Sequence, residues 1–208
     1  SAGCGRSLHD VDGIARIRLS SIEPMDVPSN LIRAVAQLPK VARHFHIPLQ
    51  SGSTAVLDRM RRRYTREDFL DLVAALYDEM PDVGLTTDVM VGFPGETDAD
   101  FEDTYRVVEK SAFHRLHVFR YSPREGTPAA AYSDQVPVAE AIARSKAVRE
   151  LGKRLERQCQ DASVGSVADV MVERGREGPR AELAGYTGPY LRVRTDASAD
   201  DAGSLCRV

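Results

Sequence analysis

The chain alternates short apolar segments typical of β-strands with longer segments whose apolar residues recur at helical spacing. Strands separated by helices pair in parallel through right-handed crossovers, so the pattern predicts an α/β fold. Four such units are too few for a closed eight-fold barrel of about 250 residues, and we therefore predict a partial (β/α) barrel or an open sheet. The predicted strands are residues 14–19, 43–49, 85–91 and 116–121, and the predicted helices begin near residues 28, 53, 65, 97 and 137.

The sequence changes character after Gly165. Short strand-like segments are separated there by Gly, Pro and Asp, which is typical of a small all-β module and favours a barrel. We therefore divide the chain into residues 1–160 and residues 161–208. Because the sequence stops within the last strand-like segment, we expect the module to lack its final strand. The segments are residues 167–172, 181–186, 190–194 and 205–208.

Composition limits the classes of partner. The net charge of −3 means that any binding to nucleic acid must come from local patches. No apolar run approaches the ~18 residues of a membrane span, so we expect a cytoplasmic protein without a membrane partner. Cys4, Cys159 and Cys206 are odd in number and far apart, which fits neither a disulfide framework nor a metal-ligand cluster.

Polar or glycine-containing segments follow all four predicted strands. In parallel α/β folds the residues at the carboxyl ends of strands collect around a ligand, so this pattern predicts a site for a polar ligand. Asp88 lies within an apolar strand, where an unpaired carboxylate costs several kcal/mol, so it meets either a structural partner or a ligand. The residues at these ends are Ser20, Ser21 and Glu23, then Gln50 and Ser51, then Asp88 with the turn at 92–96, and finally Tyr121 and Ser122.

Arginine and histidine side chains accompany these strand ends. We expect most of the arginines to form a solvated helix end, with one of them reaching inward. The histidines lie on or beside strands without metal-ligand spacing, so we interpret them as core residues or as support for a neighbouring site, and we predict no metal ligand. The residues are Arg59, Arg61, Arg62, Arg63 and Arg66, with His44, His46, His114 and His117.

The β module concentrates arginine and tyrosine. Cations beside aromatic faces on a small β-barrel suit single-stranded RNA, through phosphate contacts and base stacking. The alternative is that these residues are ordinary alternating strand faces. The arginines are Arg174, Arg176, Arg180, Arg192 and Arg194, and the tyrosines are Tyr186 and Tyr190.

Five segments, in the same order along the chain, resemble signatures of the radical S-adenosylmethionine (SAM) methylthiotransferases. They are RLSSIEP at 18–24, HIPLQSGS at 46–53, MRRRYT at 60–65, TDVMVGFPGET at 87–97, and LHVF with YS within 116–122. The resemblance runs from about Gly13 to the end, and the last module resembles the RNA-binding TRAM domain. The first segment and the segment at 121–128 look most like the threonylcarbamoyladenosine tRNA methylthiotransferases.

The resemblance implies a reaction, cofactors and site residues. In this family a C–H of adenosine in tRNA is replaced by a methylthio group, with a 5′-deoxyadenosyl radical generated from SAM at a four-iron four-sulfur cluster. By similarity, Ser21 contacts the ribose hydroxyls of SAM, Gln50 and Asp88 line the same pocket, and Arg62 meets the SAM carboxylate. A guanidinium pairs bidentately with a carboxylate, so this assignment is coherent. The implied partners are SAM and tRNA, the latter bound by Arg174, Tyr186, Tyr190, Arg192 and Arg194.

The sequence also departs from the family pattern. The Cys-x-x-x-Cys-x-x-Cys cluster loop is missing, and Arg120 stands where the family usually has proline. We therefore interpret the chain as the C-terminal part of the enzyme, with its cluster ligands outside this chain, no catalytic residue within it, and no activity on its own. An exposed edge of the truncated barrel invites pairing with a second copy.

Three rival interpretations remain open at this point. The chain is a non-catalytic RNA-binding protein, or it belongs to a methylthiotransferase that acts on isopentenyladenosine in tRNA, or it is a cluster-free lyase or isomerase that binds phosphate at the turn 92–95. The last interpretation lacks a lysine at the strand ends.

Overall fold

The computed structural model describes residues 7, 9–173, 183–195 and 201–208. Its larger part contains a three-stranded parallel sheet in the order β1-β2-β3. The strands are β1 (His44–His46), β2 (Gly84–Val91) and β3 (Arg115–Arg120). The predicted parallel α/β architecture is therefore confirmed.

Helices connect and cover these strands. Two helices begin at capping boxes, at Thr65 and Thr97, where the sequence predicts helix starts. Each threonine accepts from the backbone of the third helical residue, whose own side chain accepts from the threonine N–H. No helix among the described residues is long and apolar enough to cross a membrane. The helices are α1 (Ser29–Gln37), α2 (Thr54–Arg59), α3 (Arg66–Glu79), α4 (Asp98–Lys110) and α5 (Val138–Ser163), with short 3-10 turns at Pro24–Asp26 and Pro128–Ala131.

The two faces of the sheet have different roles. Leu85, Val89 and Val91 of β2 are almost completely buried and belong to the main hydrophobic core, which also contains residues of the helices. Successive strand residues point to opposite faces, so Asp88 and Met90, which are only half-buried, face the other side. That second face is the interior of the partial barrel.

The predicted strand at residues 14–19 was wrong as a continuous strand. Ile17 alone bridges to Val41, in parallel. The partner segment turns immediately afterwards, because the His44 N–H donates to Ala42 O at 2.8 Å. That turn leaves room for one bridge rather than a ladder.

The β module is a four-stranded antiparallel sheet in the order β6-β5-β4-β7. Its strands are β4 (Asp169–Glu173), β5 (Leu183–Tyr186), β6 (Arg192–Thr195) and β7 (Leu205–Arg207). The small all-β region is therefore confirmed, and β6 and β7 form its edges within the described residues. Its closure into a barrel, and the missing final strand, stay predictions, because residues 174–182 and 196–200 lie outside the described ranges.

The module docks at the amino ends of the parallel strands. A Cβ on Gly84, the first residue of β2, would lie 1.9 Å from Pro189 O, so only glycine permits this approach. The ring of His44, at the start of β1, lies 4.7 Å from that of Tyr190. The carboxyl ends of the strands therefore lie at the end of the sheet that is opposite to the module.

At the open side of the sheet, β3 is the edge strand among the described residues. Helix α5 covers part of it, since Arg149 Nη2 donates to Val118 O at 2.9 Å. Gly152 of α5 packs so closely on Leu116 that a Cβ would lie 2.9 Å from its side chain. Pairing of this edge with a second copy stays a prediction.

Candidate active site at the carboxyl ends of the parallel strands

A cavity of about 590 Å³ lies at the carboxyl ends of the strands, where the sequence pattern predicts a ligand site. This volume falls within the usual range for small-molecule sites, about 300–1,000 Å³. Its wall combines polar, cationic and aromatic side chains. The polar ones are Gln50, Asp88, Ser122 and Thr127, the cationic ones are Arg59, Arg61, Arg62, Arg120 and Arg124, and the aromatic ones are Phe93, Phe119, Tyr121 and Tyr132.

Gln50 adopts the left-handed backbone conformation, with φ of 59°. Two backbone hydrogen bonds hold it there, because its N–H donates to Asp88 O at 2.9 Å and its carbonyl accepts from Met90 N at 2.8 Å. A non-glycine residue in this region costs about 1–3 kcal/mol and is often found at functional sites. The strained backbone places the amide side chain on the cavity wall.

Arg62 lies on the cavity wall and is paired with Glu23, which lies outside the wall. Arg61, with φ of 58°, reverses the chain after α2, and Arg62 Nη1 then lies 2.9 Å from Glu23 Oε1. Arg66, in contrast, pairs with Glu67 and Asp103 and does not line the cavity. We expected one arginine of this cluster to reach inward, and the structure places Arg59 and Arg61 on the wall as well.

A buried tyrosine joins two of the signature segments. The Tyr64 hydroxyl donates to Pro48 O at 3.1 Å and to Leu49 O at 3.2 Å. Burial raises the pKa of this hydroxyl, so it remains a donor. The segment 60–65 is thereby fixed against the segment 46–53, and this contact helps to position Arg62 near Gln50.

Ser21 lies close to this site but outside its wall. Its side chain is exposed and does not line the cavity. The neighbouring Ile22 N–H donates to His46 O at 3.1 Å, which keeps this segment beside the end of β1. The structure therefore brings together Gln50, Arg62 and Asp88, whereas Ser21 stands at the margin.

Asp88 has structural partners. Its carboxylate lies 3.4 Å from His46 Nε2 and 3.2 Å from His117 Nδ1. His46 Nδ1 is in turn 2.9 Å from Thr86 Oγ1. Two of the histidines that we interpreted as core or supporting residues thus converge on a candidate ligand residue.

The glycine-containing turn after β2 is a structural element. A Cβ on Gly92 would lie 2.7 Å from Ala141 Cβ, so glycine lets α5 approach. The Gly92 N–H donates to the carboxylate of Glu96, which also accepts from Arg144. Burial raises the pKa of Glu96. Because a carboxylate already occupies this donor, the turn is unsuited to the phosphate-binding role of the lyase or isomerase interpretation.

Of the predicted RNA-binding residues, Arg192 is exposed on β6. Arg194 lies two residues further along β6, and Arg174 lies outside the described residues. The rings of Tyr186 and Tyr190 stack on each other, with centroids 4.5 Å apart. His44 approaches the Tyr190 ring as well, so Tyr190 already takes part in the docking of the module.

With this geometry in place, comparison with known proteins identifies the family. Residues 6–108, about half of the chain, match the radical SAM superfamily. This chain belongs to the radical SAM superfamily. The fold of this radical SAM chain is also similar to that of coproporphyrinogen III oxidase from Escherichia coli, which is described as a radical SAM enzyme. The TM-score is 0.55 at 12% identity, over 92% of this chain and 50% of the other.

Curated relatives of this radical SAM chain carry names of tRNA-modifying enzymes. It is 39% identical over 203 residues to the tRNA-2-methylthio-N6-dimethylallyladenosine synthase of Acetivibrio thermocellus, covering 98% of this chain and 42% of that protein. It is 38% identical over 200 residues to the threonylcarbamoyladenosine tRNA methylthiotransferase of Bacillus subtilis, covering 95% of this chain and 44% of that protein. The family resemblance is confirmed, and the chain spans less than half the length of these relatives.

The family implies SAM and four-iron four-sulfur clusters as cofactors. The cavity fits SAM, because its wall offers a cation for the carboxylate and polar groups for the ribose, with Glu23 paired to that cation just outside the wall. The described residues do not fit a cluster. Their thiols are Cys159 in α5 and Cys206 in β7, and burial raises the pKa of Cys159, whereas a ligand must be a thiolate.

Proposed function

We propose that this chain is the SAM-binding and tRNA-binding part of a tRNA methylthiotransferase that acts on threonylcarbamoyladenosine next to the anticodon. The cavity at the carboxyl ends carries the proposal, because its charged and polar groups match the parts of SAM. In this family, SAM bound at an iron–sulfur cluster supplies the radical chemistry. This chain contributes the groups that bind and orient SAM.

The ion pair of Arg62 and Glu23 suits the zwitterionic end of SAM. Arg62 is placed to pair with the carboxylate, and Glu23, 2.9 Å away, is placed to accept from the ammonium group. In the absence of a ligand each side chain neutralises the other. Binding of a zwitterion therefore exchanges one ion pair for two and leaves no charge uncompensated.

Gln50 and Asp88 supply polar contacts deeper in the cavity. A carboxylate accepts hydrogen bonds from ribose hydroxyls, and an amide both donates and accepts. Ser21, at the margin, is assigned to the same ribose by the family resemblance. Phe93, Phe119 and Tyr121 add apolar surface, which suits the adenine ring.

For tRNA, the support comes from the β module. Arg192 is exposed on β6, and Arg194 follows on the same strand. With Arg174 they form the proposed phosphate-binding set, together with base stacking by Tyr186 or Tyr190. The module lies at the amino ends of the strands, so a tRNA bound there must extend past the sheet to bring its adenosine to the cavity.

The proposal is tested by nucleoside analysis of tRNA. Deleting the gene in its source organism should remove the 2-methylthio form of threonylcarbamoyladenosine, measured by mass spectrometry of digested tRNA. Expression of the gene from a plasmid should restore it, and expression of an Arg62→Ala variant should restore less.

A second candidate substrate is isopentenyladenosine, also called dimethylallyladenosine. It is favoured by the relative from Acetivibrio thermocellus, which carries this substrate in its name and is as similar to this chain as the threonylcarbamoyladenosine enzyme. Loss of the 2-methylthio form of isopentenyladenosine in the same deletion would select this candidate. No change in either nucleoside would favour the non-catalytic RNA-binding interpretation.

A further inference from the structure

Three side chains of metal-ligand type converge on the interior face of the parallel sheet, one from each strand. His46 ends β1, Asp88 lies in β2, and His117 pairs with Asp88 in the register of β2 and β3. Asp88 Oδ2 lies 3.4 Å from His46 Nε2, and Asp88 Oδ1 lies 3.2 Å from His117 Nδ1. With one ligand atom taken from each residue, the three atoms all lie within 4.8 Å of one another. We call this group the His–Asp–His cluster.

The separations are compatible with metal ligands as well as with hydrogen bonds. Charge-assisted hydrogen bonds between a protonated nitrogen and a carboxylate are shorter, about 2.7–2.9 Å. Adjacent ligands of a metal with bonds of about 2.1 Å lie about 3.0 Å apart in an octahedral site and about 3.4 Å apart in a tetrahedral site. The distances of 3.2 Å from Asp88 Oδ1 and 3.4 Å from Asp88 Oδ2 fall in that range, each carboxylate oxygen facing one histidine.

His46 is already held in the orientation that a ligand needs. Its Nδ1 is 2.9 Å from Thr86 Oγ1, and the same oxygen is 3.0 Å from His44 Nε2. A partner on one ring nitrogen fixes the ring and directs the other nitrogen to a metal. Nε2 of His46 therefore points at Asp88 without any ion.

Asp88 joins the cluster to the cavity, because it lies on the cavity wall, whereas His46 and His117 lie beside the wall. The side chains are 18% exposed at His46, 26% at Asp88 and 47% at His117. This exposure leaves further coordination positions to water or to a ligand in the cavity. Two imidazoles and one carboxylate with open positions are typical of Fe²⁺ sites, and imidazole also suits Zn²⁺ and Ni²⁺.

We propose that His46, Asp88 and His117 bind one divalent transition-metal ion, of the class of Fe²⁺, Co²⁺ or Zn²⁺, on the interior face of the sheet. This goes beyond the proposed function, because the site uses no thiolate and takes Asp88 as a metal ligand in the protein without SAM, whereas the proposed function assigns Asp88 to the ribose when SAM is bound. An ion there presents an electrophilic centre to any ligand that enters the cavity from the carboxyl ends.

The test uses the tag-free 208-residue chain, Co²⁺ absorption spectroscopy and calorimetric titration with Zn²⁺. The expected result is one saturable site with the visible bands of Co²⁺ bound to nitrogen and oxygen. His117→Ala and Asp88→Asn should each weaken binding by at least about 100-fold, and Thr86→Val by about 10-fold or more through the orientation of His46. His114→Ala is the matched control and should leave the affinity unchanged, because His114 is half-buried beside β3 but outside the cluster.

Circular dichroism of each variant separates loss of the site from loss of the fold. If Asp88→Asn does not fold, His117→Ala decides, because His117 lies on the edge strand and is the most exposed ligand. Metal affinity that is unchanged by both His117→Ala and Thr86→Val overturns the proposal, as does the absence of any saturable site. A loss of metal affinity in His114→Ala that equals the loss in the cluster variants also overturns the proposal.

Discussion

The guanidinium of Arg18 lies over the ring of Tyr190, with 4.7 Å between its Cζ and the ring centroid. Arg18 also donates to Thr187 O at 3.0 Å and to Gly188 O at 3.2 Å. Arg16 donates in the same way to Tyr186 O and Asp169 O. Two arginines from the segment before α1 therefore hold the β module against the parallel sheet.

We expect Arg18→Gln to lower the free energy of unfolding by about 1–3 kcal/mol, because it removes two charge-assisted hydrogen bonds and the contact with Tyr190. Urea unfolding followed by circular dichroism measures this. Arg43→Gln is the control, since its pair with Asp82 is exposed and should contribute about 0–1 kcal/mol. Equal effects of the two substitutions would contradict a docking role for Arg18.

His44 makes stability depend on pH. Burial, followed by the nearby Arg18, lowers the pKa of His44 from 6.5 to about 3. Between these values the unfolded chain binds a proton that the folded chain does not. The contribution of neutral His44 to the free energy of unfolding is therefore complete above pH 6.5 and is lost as the pH falls towards 3.

The slope from this one group is at most about 1.4 kcal/mol per pH unit. Thermal unfolding of the wild type and of His44→Asn at several pH values measures it. We expect the difference in stability between the two proteins to shrink on acidification below the ordinary histidine range. A difference that stays constant with pH would mean that His44 titrates normally in the folded state.

For RNA binding, Arg192→Ala should weaken the affinity for an anticodon stem-loop and reduce its salt dependence by about 0.7 in slope for each lost phosphate contact on a single strand. Fluorescence anisotropy across a salt series of the full-length enzyme measures both. Arg154→Ala is the control, because Arg154 is an exposed arginine of α5 paired with Glu109. An identical dependence of RNA affinity on salt in the wild type, Arg192→Ala and Arg154→Ala would mean that Arg192 contacts no phosphate.

Tyr190 behaves differently from a simple stacking residue. Its ring centroid lies 4.5 Å from that of Tyr186, 4.7 Å from that of His44 and 4.7 Å from Cζ of Arg18. We therefore expect Tyr190→Ala to lower the free energy of unfolding as well as any affinity for RNA. Comparing its unfolding curve with its RNA binding curve separates the two effects.

The 208-residue chain alone should bind no four-iron four-sulfur cluster, because its described thiols lie in different parts of the fold. Anaerobic reconstitution, with analysis of both iron and inorganic sulfide, measures this. Bound iron without inorganic sulfide is the result expected if a single iron ion is held by the His–Asp–His cluster. Stoichiometric iron and sulfide together would contradict the prediction.

The order of elements was predictable from the sequence because apolar spacing and capping residues act locally. Ser53 caps α2, and the threonines at 65 and 97 cap the next two helices close to the predicted starts. The candidate cavity was predictable for a similar reason, because the carboxyl ends of parallel strands meet at one edge of the sheet. Gln50 and Asp88 both lie there.

What the sequence did not predict depends on register and on contacts between distant segments. Asp88 faces His117 because β2 and β3 pair in that register, and no local pattern specifies it. Glu23 follows the segment 14–19, and its pairing with Arg62 depends on how the chain turns after α2. One signal was available: His46, Asp88 and His117 each occupy a position of the two-residue strand alternation that faces the interior.

Binding of SAM tests the central claim most directly. Calorimetric titration of the full-length enzyme, with its cluster reconstituted, should show that Arg62→Ala weakens SAM affinity roughly tenfold, because a charge-assisted contact of about 1.5 kcal/mol is lost. Arg66→Ala should leave the affinity unchanged, since Arg66 pairs with Glu67 and Asp103 outside the cavity. Equal affinities of both variants and the wild type would contradict the assignment of this cavity to SAM.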